Sequence, residues 1–245
     1  MNPYIGRVLT ETKKRNASRP LFLWAITDLM DCLGSIIVEA PEIEVPSILE
    51  HLVEPERQVI FRICWTDDHG KVRVNLSYRI GFNSALGSYK GGLRFLPSVN
   101  LDIVKFLAFE QIFKNSLTGI SIGGGKSGSN FDPKGKSDGE IMRFCQTFMS
   151  EFYHFINENR DVPVGDIGVE AREIGHLFGQ YKRLTHRFES GALTGKKTKL
   201  GGSLARKEAT GFGAVYFAKA MLGTVSESLQ GKTSVVSGSG NVAIY

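Results

Sequence analysis

The chain reads as an α/β fold, and three observations predict it. Residues 57–83 alternate apolar and polar side chains with period two around a turn, the signature of a β-hairpin. Several later stretches space their apolar residues as one face of a helix requires. Near the end, Val235-Val236-Ser237 leads into Gly238-Ser239-Gly240-Asn241-Val242-Ala243. That string fits Gly-x-Gly-x-x-Ala after a strand, the opening of a dinucleotide-binding unit.

Taken in order, residues 7–34 read as one helix, with Leu21, Trp24, Ile26, Leu29 and Leu33 as its apolar stripe and Gly34 as its C-cap. Residues 40–46 read as a loop. In the hairpin, Val59, Phe61, Ile63 and Trp65 alternate with their neighbours, and Asp67-Asp68-His69-Gly70 turns the chain. Val72, Val74, Leu76, Tyr78, Ile80 and Phe82 then return. One face is expected to pack on helices and the other to be polar. Ser98 or Asn100 would cap a helix running to about Leu117, with Gly119 beyond its end. Ser137-Asp138-Gly139-Glu140 is a capping box. After it Ile141, Phe144, Cys145, Phe148, Phe152, Phe155 and Ile156 form a core stripe. Residues 170–186 and 210–222 read as further helices, and 234–237 as a short buried strand.

Composition narrows the function classes. The 245 residues are 42% hydrophobic and 22% charged, an ordinary globular balance. The charge of +5 is not gathered into a stripe, so no nucleic-acid partner is expected. Its dense groups, Lys13-Lys14-Arg15 and Lys196-Lys197-Thr198-Lys199, read as solvated segments. Without a run of 18 apolar residues no membrane span is expected, and the polar start lacks the apolar stretch of a secretory signal. Cys32, Cys64 and Cys145 are read as reduced core thiols of a cytoplasmic protein. His51, His69, His154, His176 and His186 show no metal-ligand spacing, so no metal is expected.

The residues with chemical potential are cations beside glycines. Tyr89-Lys90-Gly91-Gly92-Leu93-Arg94-Phe95 places Lys90 in a loop just after a strand, either as an exposed lysine or as an anion contact. Gln111 and Lys114, three apart on a helix, share a face and could hold one carboxylate, though Lys114 could equally pair with Glu110. Lys126, in Gly123-Gly124-Gly125-Lys126-Ser127-Gly128, lacks P-loop spacing. It is either a surface lysine on a turn or a desolvated lysine of lowered pKa, fit for general-base work. Asp166 is either the aspartate of a tight turn or an ionised carboxylate able to relay protons. Cations gathered on such segments suit a small substrate with more than one carboxylate.

Together these segments resemble the glutamate dehydrogenases, of the hexameric bacterial type usually specific for NADP. The likeness runs from about Leu52 to Tyr245, through the blocks 52–57, 89–95, 97–101, 109–115, 131–137, 165–169, 201–204, 208–211 and 237–243. It implies a substrate-binding and oligomerisation domain over 1–199, with a mixed sheet flanked by helices, and an incomplete Rossmann start over 200–245. It implies Lys90 on the substrate's side-chain carboxylate, Gln111 and Lys114 on its α-carboxylate, Lys126 and Asp166 as catalytic residues, and Thr210 near the cofactor. Gly238, Ser239, Gly240, Asn241 and Val242 would belong to the cofactor site. The implied reaction is the reversible oxidative deamination of glutamate to 2-oxoglutarate and ammonia with NADP(H), or NAD(H), in a homo-oligomer, a hexamer in the intact family. A family member is about twice as long, so the resemblance implies a truncated chain that is inactive alone. The alternative is a catalytically dead piece that only co-assembles with full-length subunits. Ser88, Ser127, Glu170, Ala171, Lys197, Lys207 and Ile244 depart from the family pattern. The Ser127 change is expected to strain its turn, and Glu170 to raise the Asp166 pKa if the two are close.

Overall fold

A computed structural model describes residues 2–40, 42 and 47–245. Helix α1 (Pro3–Arg15) opens on Asn2, whose side chain accepts the Tyr4 N–H at 2.8 Å. It closes at Asn16, whose backbone and side-chain amides both donate to the Thr12 carbonyl. Pro20 then starts α2 (Pro20–Glu39), and the Leu21 and Phe22 N–H groups donate to the Asp102 carboxylate at 3.1 and 3.0 Å. The single helix expected over 7–34 is thus two. Proline has no N–H to give and is at home in a first turn. Gly34 lies inside α2 rather than capping it.

The buried side of α2 is Phe22, Ala25, Ile26, Met30 and Ile37, while Leu21 and Trp24 point outward, so the stripe is rotated from the expected one. Against the expectation of no such segment, Pro20–Ile37 is long and apolar enough to cross a membrane, with a mean hydropathy of 1.5. Its buried side nevertheless packs on α4 (Leu101–Ser116), with the Phe22 and Phe109 rings 5.8 Å apart. The loop expected at 40–46 falls on residues 41 and 43–46, which lie outside the described ones. A short helix α3 (Ile48–Leu52) leads to the sheet.

The sheet holds β1 (Arg57–Thr66), β2 (Val72–Asn83), β3 (Tyr89–Phe95), β4 (Gly123–Ser129) and β5 (Asp161–Gly165) in the order β1-β2-β4-β3-β5. β2 runs antiparallel to β1 and β4, whereas β3 runs parallel to β4 and β5. Asp67 shapes the hairpin turn by accepting the His69 and Lys71 N–H groups at 3.0 and 2.9 Å. Phe82 faces Phe22 and Phe109, and on the opposite side Phe95 faces Phe144 and Phe148 of α5 (Asp138–Phe152).

One expectation about the hairpin fails. Its non-packed stretch is not polar: Ile60, Val72, Val74 and Leu76 are exposed on one side, with Cys64 among them. Tyr78, Ile80 and Phe82 of the same side are buried, because the helices cover only that end of β2. Cys32 is exposed as well, so of the three cysteines only Cys145 is a core thiol.

The expected caps form. Asn100 accepts the Ile103 N–H, and Ser137 and Glu140 make their reciprocal box ahead of α5. Glu170 and Glu173 do the same for α6 (Ala171–Thr185), which ends at His186 in the left-handed region.

The chain divides into two compact units, Met1–Lys196 and Lys197–Tyr245. The second carries α7 (Ala209–Gly223) and the four-residue α8 (Asn241–Ile244). The buried strand expected at 234–237 does not form: Val235 and Val236 are 91% and 68% exposed. Among the described residues no strand lies beside them to take their backbone hydrogen bonds, and a strand without a neighbour is not stable.

Candidate functional site

The site follows from side-chain alternation along β3. Residues 90, 92 and 94 share one face of the sheet, and the parallel register brings 124, 126 and 128 of β4 onto it. Two expectations change here. Lys90 stands within β3 rather than in a loop after a strand, and Lys126 stands in a fully buried strand rather than on a turn.

The glycines explain why such a sequence forms a strand. A Cβ on Gly124 would lie 2.4 Å from Ile112, so its absence lets α4 sit against β4. A Cβ on Gly92 would lie 2.8 Å from both the Lys126 Nζ and the Asp166 Cβ. Gly92 therefore opens the space in which those two side chains meet.

The Lys126 Nζ lies 2.5 Å from the Asp166 Oδ2, and the Arg94 Nε 3.2 Å from the same oxygen. Burial pushes the Lys126 ammonium below the ordinary lysine range; the Asp166 carboxylate opposes this, and Arg94 and Lys114 add to it. Burial pushes the Asp166 carboxyl up, but Lys126 and Arg94 outweigh it and hold the group below the usual range. Glu170 is not among the groups that set this balance; its backbone N–H donates to the Glu173 carboxylate at 2.9 Å at the start of α6. The outcome is an ionised carboxylate against a lysine whose proton is loosened, an arrangement able to move a proton at a bound ligand.

Helix α4 supplies the rest. Gln111 donates to the Asn115 Oδ1 at 2.8 Å, and Asn115 donates to the carbonyls of Lys90 and Gly123 at 3.1 and 2.6 Å. Asn115 thus ties α4 to the strands that carry Lys90 and Lys126. Lys114 is exposed, one residue before this clamp.

Ser127 is not strained. It is buried in β4 and its Oγ accepts from the Arg79 Nη1 at 3.0 Å. Arg79, itself 1% exposed, pairs through two nitrogens with Asp161 of β5.

The first unit therefore brings together Lys90, Gln111, Lys114, Lys126 and Asp166. Sequence reasoning missed Arg94 and Asn115. Reading 89–95 as a strand would have put Arg94 on the Lys90 face; Asn115 lies in the matching block 109–115 but carried no assigned role. The remaining candidates lie in the second unit. Thr210 stands in the first turn of α7, where its hydroxyl accepts from Arg206 at 3.4 Å. Gly238 has φ +112 and open space around it, as does Gly240, and Asn241 donates to the Lys207 carbonyl at 2.6 Å. Ser239 and Val242 are exposed. With no strand before them and one helical turn after, residues 238–242 do not by themselves make a place for a dinucleotide.

Comparison with known proteins gives this arrangement a family. The NADP-specific glutamate dehydrogenase of Helicobacter pylori is 55% identical over 242 residues, which are 99% of this chain and 54% of that protein. The NAD-specific glutamate dehydrogenase of Clostridium symbiosum is 52% identical over 243 residues, again 99% of this chain and 54% of that one. The chain thus spans about half the length of the curated relatives it matches. Among solved structures, glutamate dehydrogenase of Plasmodium falciparum superposes with a TM-score of 0.94 at 55% identity, covering 99% of this chain and 51% of that one. Residues 201–245 match the Glutamate/Leucine/Phenylalanine/Valine dehydrogenase family. Residues 55–183, more than half of the sequence, match the Glu/Leu/Phe/Val dehydrogenase dimerisation domain, and the chain belongs to that family.

Proposed function

We propose that this chain supplies the dicarboxylate-binding half of a glutamate dehydrogenase, whose reaction interconverts glutamate with 2-oxoglutarate and ammonia. The observation that carries the reading is the half-buried Lys126–Asp166 pair on a sheet face that also bears Lys90 and Arg94, with Lys114 on the flanking helix. Several cations around one carboxylate leave net positive charge for an anionic ligand. Lys90 holds the side-chain carboxylate, Gln111 and Lys114 hold the α-carboxylate, and Lys126 and Asp166 move protons at the carbon and nitrogen that react. The cofactor of this reading is NADP(H), or NAD(H), as the names of the relatives have it. Thr210 and residues 238–242 would contribute to its site once further elements complete it.

The test is an NMR titration of the chain. 2-Oxoglutarate should shift the signals of Lys90, Gln111, Lys114 and Lys126 with millimolar affinity, about −4 kcal/mol, and a neutral analogue should not. Equal response to both ligands would defeat the reading.

A second reading concerns assembly, and a separate observation favours it. β1 is an edge strand, and Ile60, Val72, Val74 and Leu76 form an exposed apolar side on the β1–β2 hairpin. An open edge beside apolar surface is a place for a second copy to pair. We propose that the chain self-associates there within a homo-oligomer, a hexamer like that of the type it resembles, whether or not it turns over substrate.

A further inference from the structure

Lys196 reads in the sequence as part of a solvated basic run, yet it is 6% exposed. It closes a segment that runs along the outer edge of β5: the Thr194 N–H donates to the Pro163 carbonyl at 2.9 Å, and Thr194 bridges to Val164 in parallel. β5 in turn pairs with the strand that carries Lys90, with Val162 opposite Lys90. The Lys196 ammonium donates to the Leu193 carbonyl and stands 5.1 Å from the centre of the Phe178 ring. Among the described residues no carboxylate lies within ion-pair reach of it. Burial pushes the ammonium below the ordinary lysine range, and the neighbouring positive charge of Lys90 adds to that.

A carbonyl and a ring face are modest compensation for a buried cation, and a second cation beside it is a further penalty. Buried ammonium groups are ordinarily paired. Here the missing partner is an anion, and the like charge that accompanies Lys196 belongs to the substrate site. We infer that Lys196 is a second cation of that site, joining Lys90 on the carboxylate at the substrate's side-chain end and setting the preference for dianionic over monoanionic oxoacids. The inference rests on the substrate reading proposed above.

The experiment compares 2-oxoglutarate with the monoanion 2-oxobutanoate on the 245-residue chain, wild type and Lys196→Met. Methionine keeps the length and apolar stem, and without ligand the variant should melt at least as high as wild type, since a poorly compensated buried charge has gone. It should bind 2-oxoglutarate about tenfold more weakly, the order expected for a lost charge-assisted contact, with 2-oxobutanoate changed less than about twofold. Mass-spectrometric mapping of lysine acetylation by acetic anhydride on the wild-type chain needs no variant: 2-oxoglutarate should protect Lys196 and 2-oxobutanoate should not. Equal losses for both ligands, no loss, or equal protection would overturn the inference while leaving the substrate reading intact. Failure of the wild-type chain to bind 2-oxoglutarate would overturn both.

Discussion

The Lys126 Nζ lies 2.5 Å from the Asp166 Oδ2, where strand β4 and the residue just past β5 converge beneath Gly92. Both groups are held below their ordinary ranges, for different reasons. The lysine loses charge preference to burial, while the aspartate keeps its charge because two cations, Lys126 and Arg94, share its Oδ2.

That balance sets a pH dependence. The folded Asp166 titrates below its unfolded value of about 3.9. Its contribution to stability is therefore present above the unfolded value and lost as pH falls through the folded one. Asp166→Asn should flatten the acid limb of a melting-temperature profile between about pH 2 and 4, relative to wild type. Asp67 and Asp68 are also held low by their partners, so a slope should remain. An unchanged acid limb would mean that Asp166 does not carry its charge on Lys126 and Arg94.

Ser127 offers a test of whether the departure from glycine is harmful. Its Oγ accepts from the Arg79 Nη1, and Arg79 is buried. Ser127→Gly would leave that N–H without its acceptor, and losing a hydrogen bond to a buried charged group costs about 1.5–3 kcal/mol. Urea unfolding should therefore show the glycine variant to be less stable. A variant as stable as wild type, or more so, would restore the view that serine strains β4.

What was legible in the sequence followed from periodicity and caps. The hairpin alternation, the Ser137–Glu140 box and the α5 stripe Ile141, Phe144, Phe148 and Phe152 each depend on residues close in the chain. The errors arose where distant residues decide. Asp102 caps α2 from far along the sequence, which the local pattern of 7–34 does not reveal. The triple glycine at 123–125 looks like a flexible turn on its own. It becomes a central strand because Gly124 admits α4 and Gly125 leaves room for the Arg79 side chain. The Lys196 run reads as solvated because charge patterns do not reveal which lysine folds inward. Lys90, Gln111, Lys114, Lys126 and Asp166 stood out in the sequence, each with an ordinary alternative, and their roles came from the family resemblance; their convergence is the contribution of the fold.

The exposed side of the hairpin predicts self-association. Val74 is 59% exposed, so a charged residue there should leave the fold intact. Val74→Lys, combined with Ile60→Lys on the neighbouring strand, should reduce the sedimenting mass of the chain toward that of a monomer. The melting temperature should hold within a few degrees. A wild-type chain that already sediments as a monomer at high micromolar concentration would rule this surface out.

Turnover is a separate matter. Residues 234–237 form no strand, and residues 238–242 are exposed. With no positioned hydride donor there is no near-attack geometry to exploit. The 245-residue chain, purified free of host enzyme, should not oxidise NADPH in the presence of 2-oxoglutarate and ammonia. Measurable turnover would show that the second unit is completed in some other way.

Lys90 and Lys126 should divide the labour of binding and proton transfer. Lys90 is assigned to holding a carboxylate before any reaction, and Lys126 to proton transfer, its ammonium already engaged by Asp166. Lys90→Ala should therefore weaken 2-oxoglutarate binding to this chain about tenfold, the loss of roughly one charge-assisted contact. Lys126→Ala removes a cation that Asp166 largely neutralises, so binding should fall less than about threefold. The alanine at 126 also frees the Asp166 carboxylate to rest on Arg94 alone, 3.2 Å away. Its acid titration, followed by NMR, should move up toward the ordinary carboxylate range, while Lys90→Ala should leave it in place. If Lys126→Ala cost more affinity than Lys90→Ala, the two lysines would have exchanged roles. Lys126 would then be a carboxylate anchor, and the proton-transfer assignment would have to be abandoned.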